Sequence, residues 1–211
     1  MRKSLIGTLA VLAALALVSG AAAQLPPPGQ NLLGIYSNDF DGPTWANVPG
    51  TGMITIYLIC SGITSPSGGV SGWEAEVFTE GTGAMLLSAV VQGQNPLNIM
   101  TPPAFMVGLQ APMRDSNIGI PFAFSLAEMT YFVSSTAETF LRVDRPTQFS
   151  SFNDHPDGPG PGYADADDPG ILIRFQPSSG DLSQPVFGFN TGGLGIRVED
   201  ETWGGIKGLF R

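Results

Sequence analysis

The chain has 211 residues, a formal net charge of −9, one cysteine and one histidine. Its acidity disfavours nucleic acid and anionic lipid as partners, because both are bound through basic surfaces. The single cysteine excludes a disulfide framework within the chain and a Cys-rich zinc site, and the single histidine excludes zinc held by a histidine cluster.

Residues 1–23 have the three parts of a secretory signal peptide. Arg2 and Lys3 form the positive start, Leu5 to Val18 the apolar stretch, and Ala21-Ala22-Ala23 the small residues at which a signal peptidase cuts. The apolar stretch is shorter than the about 20 residues a membrane-spanning helix needs. Gly20 and Gln24-Leu25-Pro26-Pro27-Pro28 also stop a continuing helix. The expectation is export to the cell envelope or the medium, with cleavage near Gln24 and no transmembrane span afterwards. Arg2 and Lys3 leave with the leader, which takes the charge from −9 to −11 and leaves Lys207 as the sole lysine. Residues 24–32 read as a Pro-rich lead-in to one domain over 33–198, long enough to bury a real core.

Gly (28) and Pro (18) are spread between short runs rich in Val, Ile, Phe, Tyr and Thr, a pattern of many short strands without long helices. Strands are expected at 33–37, 53–61, 72–79, 84–92, 104–110, 119–133, 137–143, 171–176 and 185–190. Cys60 ends the apolar run from Met53 and is expected as a buried thiol. In Trp73-Glu74-Ala75-Glu76-Val77, the Trp, Ala and Val share one face and the glutamates the other. Leu141 and Val143 alternate against Phe140 and Arg142 in the same way. The run Ile120 to Val133 exceeds the about ten residues that strands seldom pass, so a bend or bulge is expected in it. Short strands with turns between them predict an all-β, two-sheet sandwich of immunoglobulin-like type.

Two segments break the strand rhythm. Thr147 to Gly170 reads as a long acidic Gly/Pro loop, and such loops are usually functional, metal-bound or mobile. Its Asp154, Asp157, Asp165, Asp167 and Asp168 are of the type that supplies calcium with oxygens, although their spacing is not that of an EF-hand; the alternative is that they form turns beside Gly and Pro. His155 lies in the same loop rather than between a nucleophile and a carboxylate, so no catalytic role is assigned to it. The second segment, 199–211, carries Trp203, Ile206, Lys207, Leu209, Phe210 and Arg211. Apolar groups with two cations at a chain end suggest an interaction or sorting element, the alternative being a last turn packed on its own domain.

Glu74 and Glu76 stand roughly 7 Å apart along one strand. Paired carboxylates at about 5–10 Å carry out glycoside hydrolysis. The order Glu-Ala-Glu-Val-Phe-Thr-Glu through Glu80 matches the acidic strand of sandwich glycosidases poorly, and a solvent-facing strand edge is the simpler expectation. Trp73 alternates inward and reads as core. Trp45, in a turn-rich stretch, and Tyr163 are the candidate platforms for a sugar ring.

Several short motifs carry a resemblance. Leu33-Gly-Ile-Tyr36, Ile56-Tyr57-Leu58-Ile59, Gly69-Val-Ser-Gly-Trp-Glu74, Phe105-Met-Val-Gly-Leu109, Gly162-Tyr-Ala-Asp165, Ser178-Ser-Gly-Asp181 and Val186-Phe-Gly-Phe-Asn190 resemble those of a group of uncharacterised secreted bacterial proteins. Proteins of that group often end in Trp-Gly-x-x-Lys, as Trp203-Gly-Gly-Ile-Lys207 does here. The segment 53–92, with Gly72-Trp73-Glu74, also resembles the opening of cohesin-like sandwiches of about nine strands. That resemblance implies protein docking or carbohydrate attachment at a cell surface. The expected function is therefore a secreted or surface-attached, non-catalytic sandwich domain with an interaction or structural role. Its partner would be a surface protein or a polysaccharide. The alternatives are a glycan-binding module, supported by calcium, and a sandwich glycoside hydrolase.

Overall fold

Alternation along the long strands places the core. In β3 (Gly52–Ser61), Ile56, Leu58 and Cys60 are fully buried, as are Phe124, Ala127, Met129, Tyr131 and Val133 of its neighbour β8 (Ala123–Val133). Opposite them, β4 (Val70–Glu80) turns Trp73, Ala75 and Val77 inward and β9 (Thr139–Asp144) turns Leu141 and Val143 inward. Two such half-apolar surfaces bury each other, at roughly 25 cal/mol for each Å² of apolar area removed from water. The computed structural model describes residues 31–37, 44–119 and 122–192. The expected leader, most of the Pro-rich lead-in, and the C-terminal segment with Trp203, Ile206, Lys207, Phe210 and Arg211 lie outside the described residues.

The remaining strands are short apart from two. They are β1 (Leu32–Tyr36), β2 (Trp45–Ala46), β5 (Ala84–Val91), β6 (Leu97–Asn98), β7 (Ala104–Met113), β10 (Gly162–Asp165), β11 (Leu172–Arg174), β12 (Gln176–Pro177) and β13 (Phe187–Phe189). One sheet runs β12-β1-β3-β8-β5. The other runs β11-β10-β4-β9-β13-β2, with β7 along the far side of β4 and β6 along β7. The chain is an all-β two-sheet sandwich, and the described residues contain no helix. Tyr131 of the first sheet and Phe189 of the second meet across the core, ring centroids 5.3 Å apart.

Every expected strand has a counterpart, with instructive differences. The bulge anticipated in 120–133 is Leu126: Leu58 pairs with Ala127 and Ile59 with Ser125, so one residue is extra in β8. The run 171–176 is two strands. β11 lies in one sheet and β12 in the other, and the fully buried Phe175 makes the crossing with its ring stacked on Tyr163 at 4.8 Å. The expected long loop 147–170 is interrupted by β10, which pairs with β4 on one side and β11 on the other. Gly and Pro around it mask a strand of only four residues. The two-residue strands β2 and β6 are too short to show a period in sequence.

Candidate functional site

The acidic residues are used for fastening. Glu74 is 2% exposed, and this corrects the solvent-facing reading of its strand face. Ser150 Oγ donates to its Oε1, and the Ser151 N–H donates to its Oε2 at 3.0 Å. Thr147 donates to Glu76 Oε2 through both its N–H, at 2.7 Å, and its hydroxyl, at 3.0 Å. Glu80 and Asp144 flank Arg142, whose guanidinium lies 4.6 Å from the centre of the Phe78 ring. The glutamates of β4 thus hold residues 147–151 over the outer face of their sheet. Buried Phe152 follows, and a Cβ on Gly162 of β10 would stand 2.2 Å from its ring.

The aspartates grouped by the sequence have different surroundings. Asp165 is buried and accepts from the Ser67 N–H (3.0 Å), the Ser67 hydroxyl (2.6 Å), and the N–H groups of Asp167 (2.9 Å) and Asp168 (3.0 Å). Burial alone would raise its pKa, but these four hydrogen bonds outweigh it and hold the carboxyl well below the usual range. Asp167 pairs with Arg114, and Asp168 caps the turn at Gly170. Asp154 and Asp157 are exposed. Among the described residues, no group of three or more His, Cys, Asp or Glu side chains is placed to share a metal ion. Asp165, Asp167 and Asp168 form and anchor the turn after β10. His155 is a fastener too: its Nε2 donates to the Leu172 carbonyl at 3.1 Å and its Nδ1 accepts from the Asp157 N–H at 3.2 Å. These contacts fit the tautomer with its proton on Nε2.

Of the two proposed sugar platforms, Tyr163 is fully buried. Phe175 covers its ring, its hydroxyl donates to Asn31 Oδ1 at 2.7 Å, and burial pushes its pKa up to about 12. It presents no face to an external sugar. Trp45 is half-buried in β2, beside Gly188 of β13. Trp73 is in the core, as the alternation indicates, and Cys60 is a fully buried thiol whose pKa burial raises.

A different region stands out once the topology is known. From Gly81 to Met113, 33 consecutive residues contain no Asp, Glu, Lys, Arg or His. At the chain's 13% charged content, a stretch of that length would carry about four charges. The run supplies uncharged strands that flank the two sheets: β5 is the edge of the first, and β6 with β7 the edge of the second. Met85 (58% exposed), Leu87 and Val90 (58%) are open to solvent on β5, and Leu97 (66%) and Ile99 (67%) on the segment beside β7. Met85 continues outward into a cross-strand row with Phe132 and the exposed Met53. The nearest charge on the adjoining strand is Glu128, opposite Val90. Met85, Leu87 and Val90 are exposed together along one strand, and apolar side chains exposed together, rather than scattered, mark interaction surfaces. The signal was present in the sequence, as a missing residue class rather than a motif.

No family model matches this chain. No curated protein matches it either. Among solved structures, it is similar to the sixth cohesin of Acetivibrio cellulolyticus scaffoldin B, solved in complex with a Cel5 dockerin mutant. The identity is 12% and the TM-score 0.47, over 76% of this chain and 98% of that one. A type II cohesin domain from the cellulosome of the same organism matches at 10% identity and TM-score 0.45, over 79% of this chain and 97% of that one. The seventh ScaB type I cohesin of Pseudobacteroides cellulosolvens matches at 13% identity and TM-score 0.39, over 71% and 88%. The two-sheet sandwich itself is established by this chain's own strand pairing.

Proposed function

We propose that this chain is an exported, non-catalytic interaction domain that docks a protein partner through its uncharged flank. One observation carries this reading: in a chain of net charge −9, β5 to β7 bear no charge and expose five large apolar side chains. The carboxylates that sequence alone offers to chemistry are engaged in holding loops: Glu74 and Glu76 by residues 147–151, Asp165 by Ser67 and its own turn. Export rests on the leader-like residues 1–23, and the segment with Trp203, Ile206, Lys207, Phe210 and Arg211 adds a second interaction or sorting element.

Site-specific photo-crosslinking in the producing cell tests the reading. A crosslinking side chain at Leu97 is expected to give discrete protein adducts, and one at the exposed Asp157 none. Equal labelling from both positions, or none from Leu97, overturns it. Deleting residues 202–211 tests the tail separately: unchanged thermal unfolding with lost retention in the cell envelope supports a sorting role, and a clear loss of stability removes it.

A further inference from the structure

A free strand edge is a row of unpaired N–H and C=O groups, and folded proteins blunt such edges with short strands, prolines, charges or bulges. Most edges of this sandwich are blunted. On the first sheet, the far edge is β12, two residues long and ending in Pro177. On the second, the outermost strands are β11 (three residues, with Arg174), β2 (two residues) and β6 (two residues, preceded by Pro96). The long β7 is covered by the segment before it, through β6, the Gln94–Ala111 bridge and the bond from the Ile99 N–H to the Met106 carbonyl.

β5 is the exception. It is eight residues long, Ala-Met-Leu-Leu-Ser-Ala-Val-Val, without charge, proline or glycine, and among the described residues only β8 pairs with it. Its one irregularity is the extra residue Leu87, where pairing shifts between Leu86 and Ser88. Beyond that bulge, Ser88 to Val91 is regular, pairing residue for residue with Thr130 to Ala127.

Building on the docking role proposed for this flank, we infer that its partner is a second copy of the chain. The two copies join across a two-fold axis by antiparallel pairing of Ser88–Val91 with its counterpart. Two features favour a copy over a different protein. Two chains of net charge −9 repel each other, and β5 itself brings no carboxylate to the seam, the nearest being Glu128 one strand back, opposite Val90. Antiparallel pairing of an uncharged strand with itself is self-complementary, as a two-fold interface requires, and with the axis at Val90 it sets the two Val90 side chains against each other. The blunted edge at β12 ends the assembly at two copies rather than opening a filament.

Sedimentation equilibrium of residues 24–211, with hydrogen exchange read at low and high protein concentration, tests this. A dimer is expected, with the amides of Ser88–Val91 protected in step with dimer formation. Association should tighten as salt rises, because screening removes repulsion between like-charged copies while leaving the apolar contact. The double substitution Leu87→Lys and Val90→Lys sets like charges against each other and should weaken association more than about a hundredfold with thermal unfolding unchanged. A monomer at every concentration and salt, a dimer that leaves β5 unprotected, or a dimer that survives both lysines overturns the inference. If the chain is monomeric but the crosslinker at Leu97 still gives adducts with another protein, the second copy is excluded and the docking role stands.

Discussion

The two sheets of this sandwich treat their outer surfaces in opposite ways. Over β4 and β10, an irregular segment lies against the strands, tied down by Glu74 and Glu76 and sealed by Phe152. Along β5 and the adjoining row Met53–Phe132–Met85, the apolar side chains stay open. Carboxylates that look like a surface feature in sequence are internal fasteners, while the flank with no ionisable group is the exposed one. The carboxylates of β4 and of the turn after β10 are therefore satisfied within the fold, whereas the strand without charge is left open.

The contrast predicts that substitutions on the covered side act on stability and those on the open side on association. The largest stability effect is expected at Phe152. Phe152→Ala removes a buried ring and should cost about 3 kcal/mol or more, or roughly 6–12 °C in Tm for a domain of this size. Gly162→Ala should act in the same direction, since the new methyl occupies the place of that ring. If thermal unfolding shows both variants at wild-type stability, the 147–152 segment is not part of the folded unit.

Asp165 comes next. Replacement by Asn keeps the size but removes the charge that four donors converge on, at a cost of about 2–3 kcal/mol. Its folded-state pKa is depressed, so its contribution is fully present above the unfolded value of about 3.9 and is lost as pH falls through the folded value. Wild-type stability should therefore drop as pH is lowered below about 4, and Asp165→Asn should flatten that part of the profile. Parallel acid profiles for the two proteins would show that the hydrogen bonds to Asp165 do not form as described. Glu74→Gln is the smaller perturbation. It leaves one acceptor oxygen for Ser150 and Ser151, and the expected loss is about 1–2 kcal/mol. Faster proteolysis should be concentrated at residues 147–152.

What the sequence shows of this architecture depends on length and period. Strands of five or more residues with alternating burial, such as β3, β4, β8 and β9, are legible because period two is visible over that span. The bulge at Leu126 is legible for a related reason, since a run as long as 120–133 cannot stay regular. β10 was hidden because four residues, Gly-Tyr-Ala-Asp, sit among glycines and prolines that read as loop. Tyr163 shows the same limit from the side of function: an aromatic in an apparent loop suggests a platform, whereas the strand around it turns the ring onto Phe175. Of the aspartates of 154–168, the turn after β10 sends Asp165, Asp167 and Asp168 to different partners, Ser67, Arg114 and Gly170.

The smallest stability effect, and the most informative for function, belongs to the open flank. Leu97 and Ile99 are two-thirds exposed, so Leu97→Lys with Ile99→Lys should shift unfolding by no more than about 0.5 kcal/mol. Burying two ammonium groups in an apolar contact is, however, strongly unfavourable. The same variant should therefore lose the adducts seen by crosslinking from the exposed Gly108, which pairs with Leu97, while its acid profile stays that of the wild type. Loss of stability together with loss of adducts would mean that the flank supports the fold. Wild-type stability with wild-type adducts would mean that the partner binds elsewhere, and that the absence of charge from Gly81 to Met113 answers a constraint other than recognition.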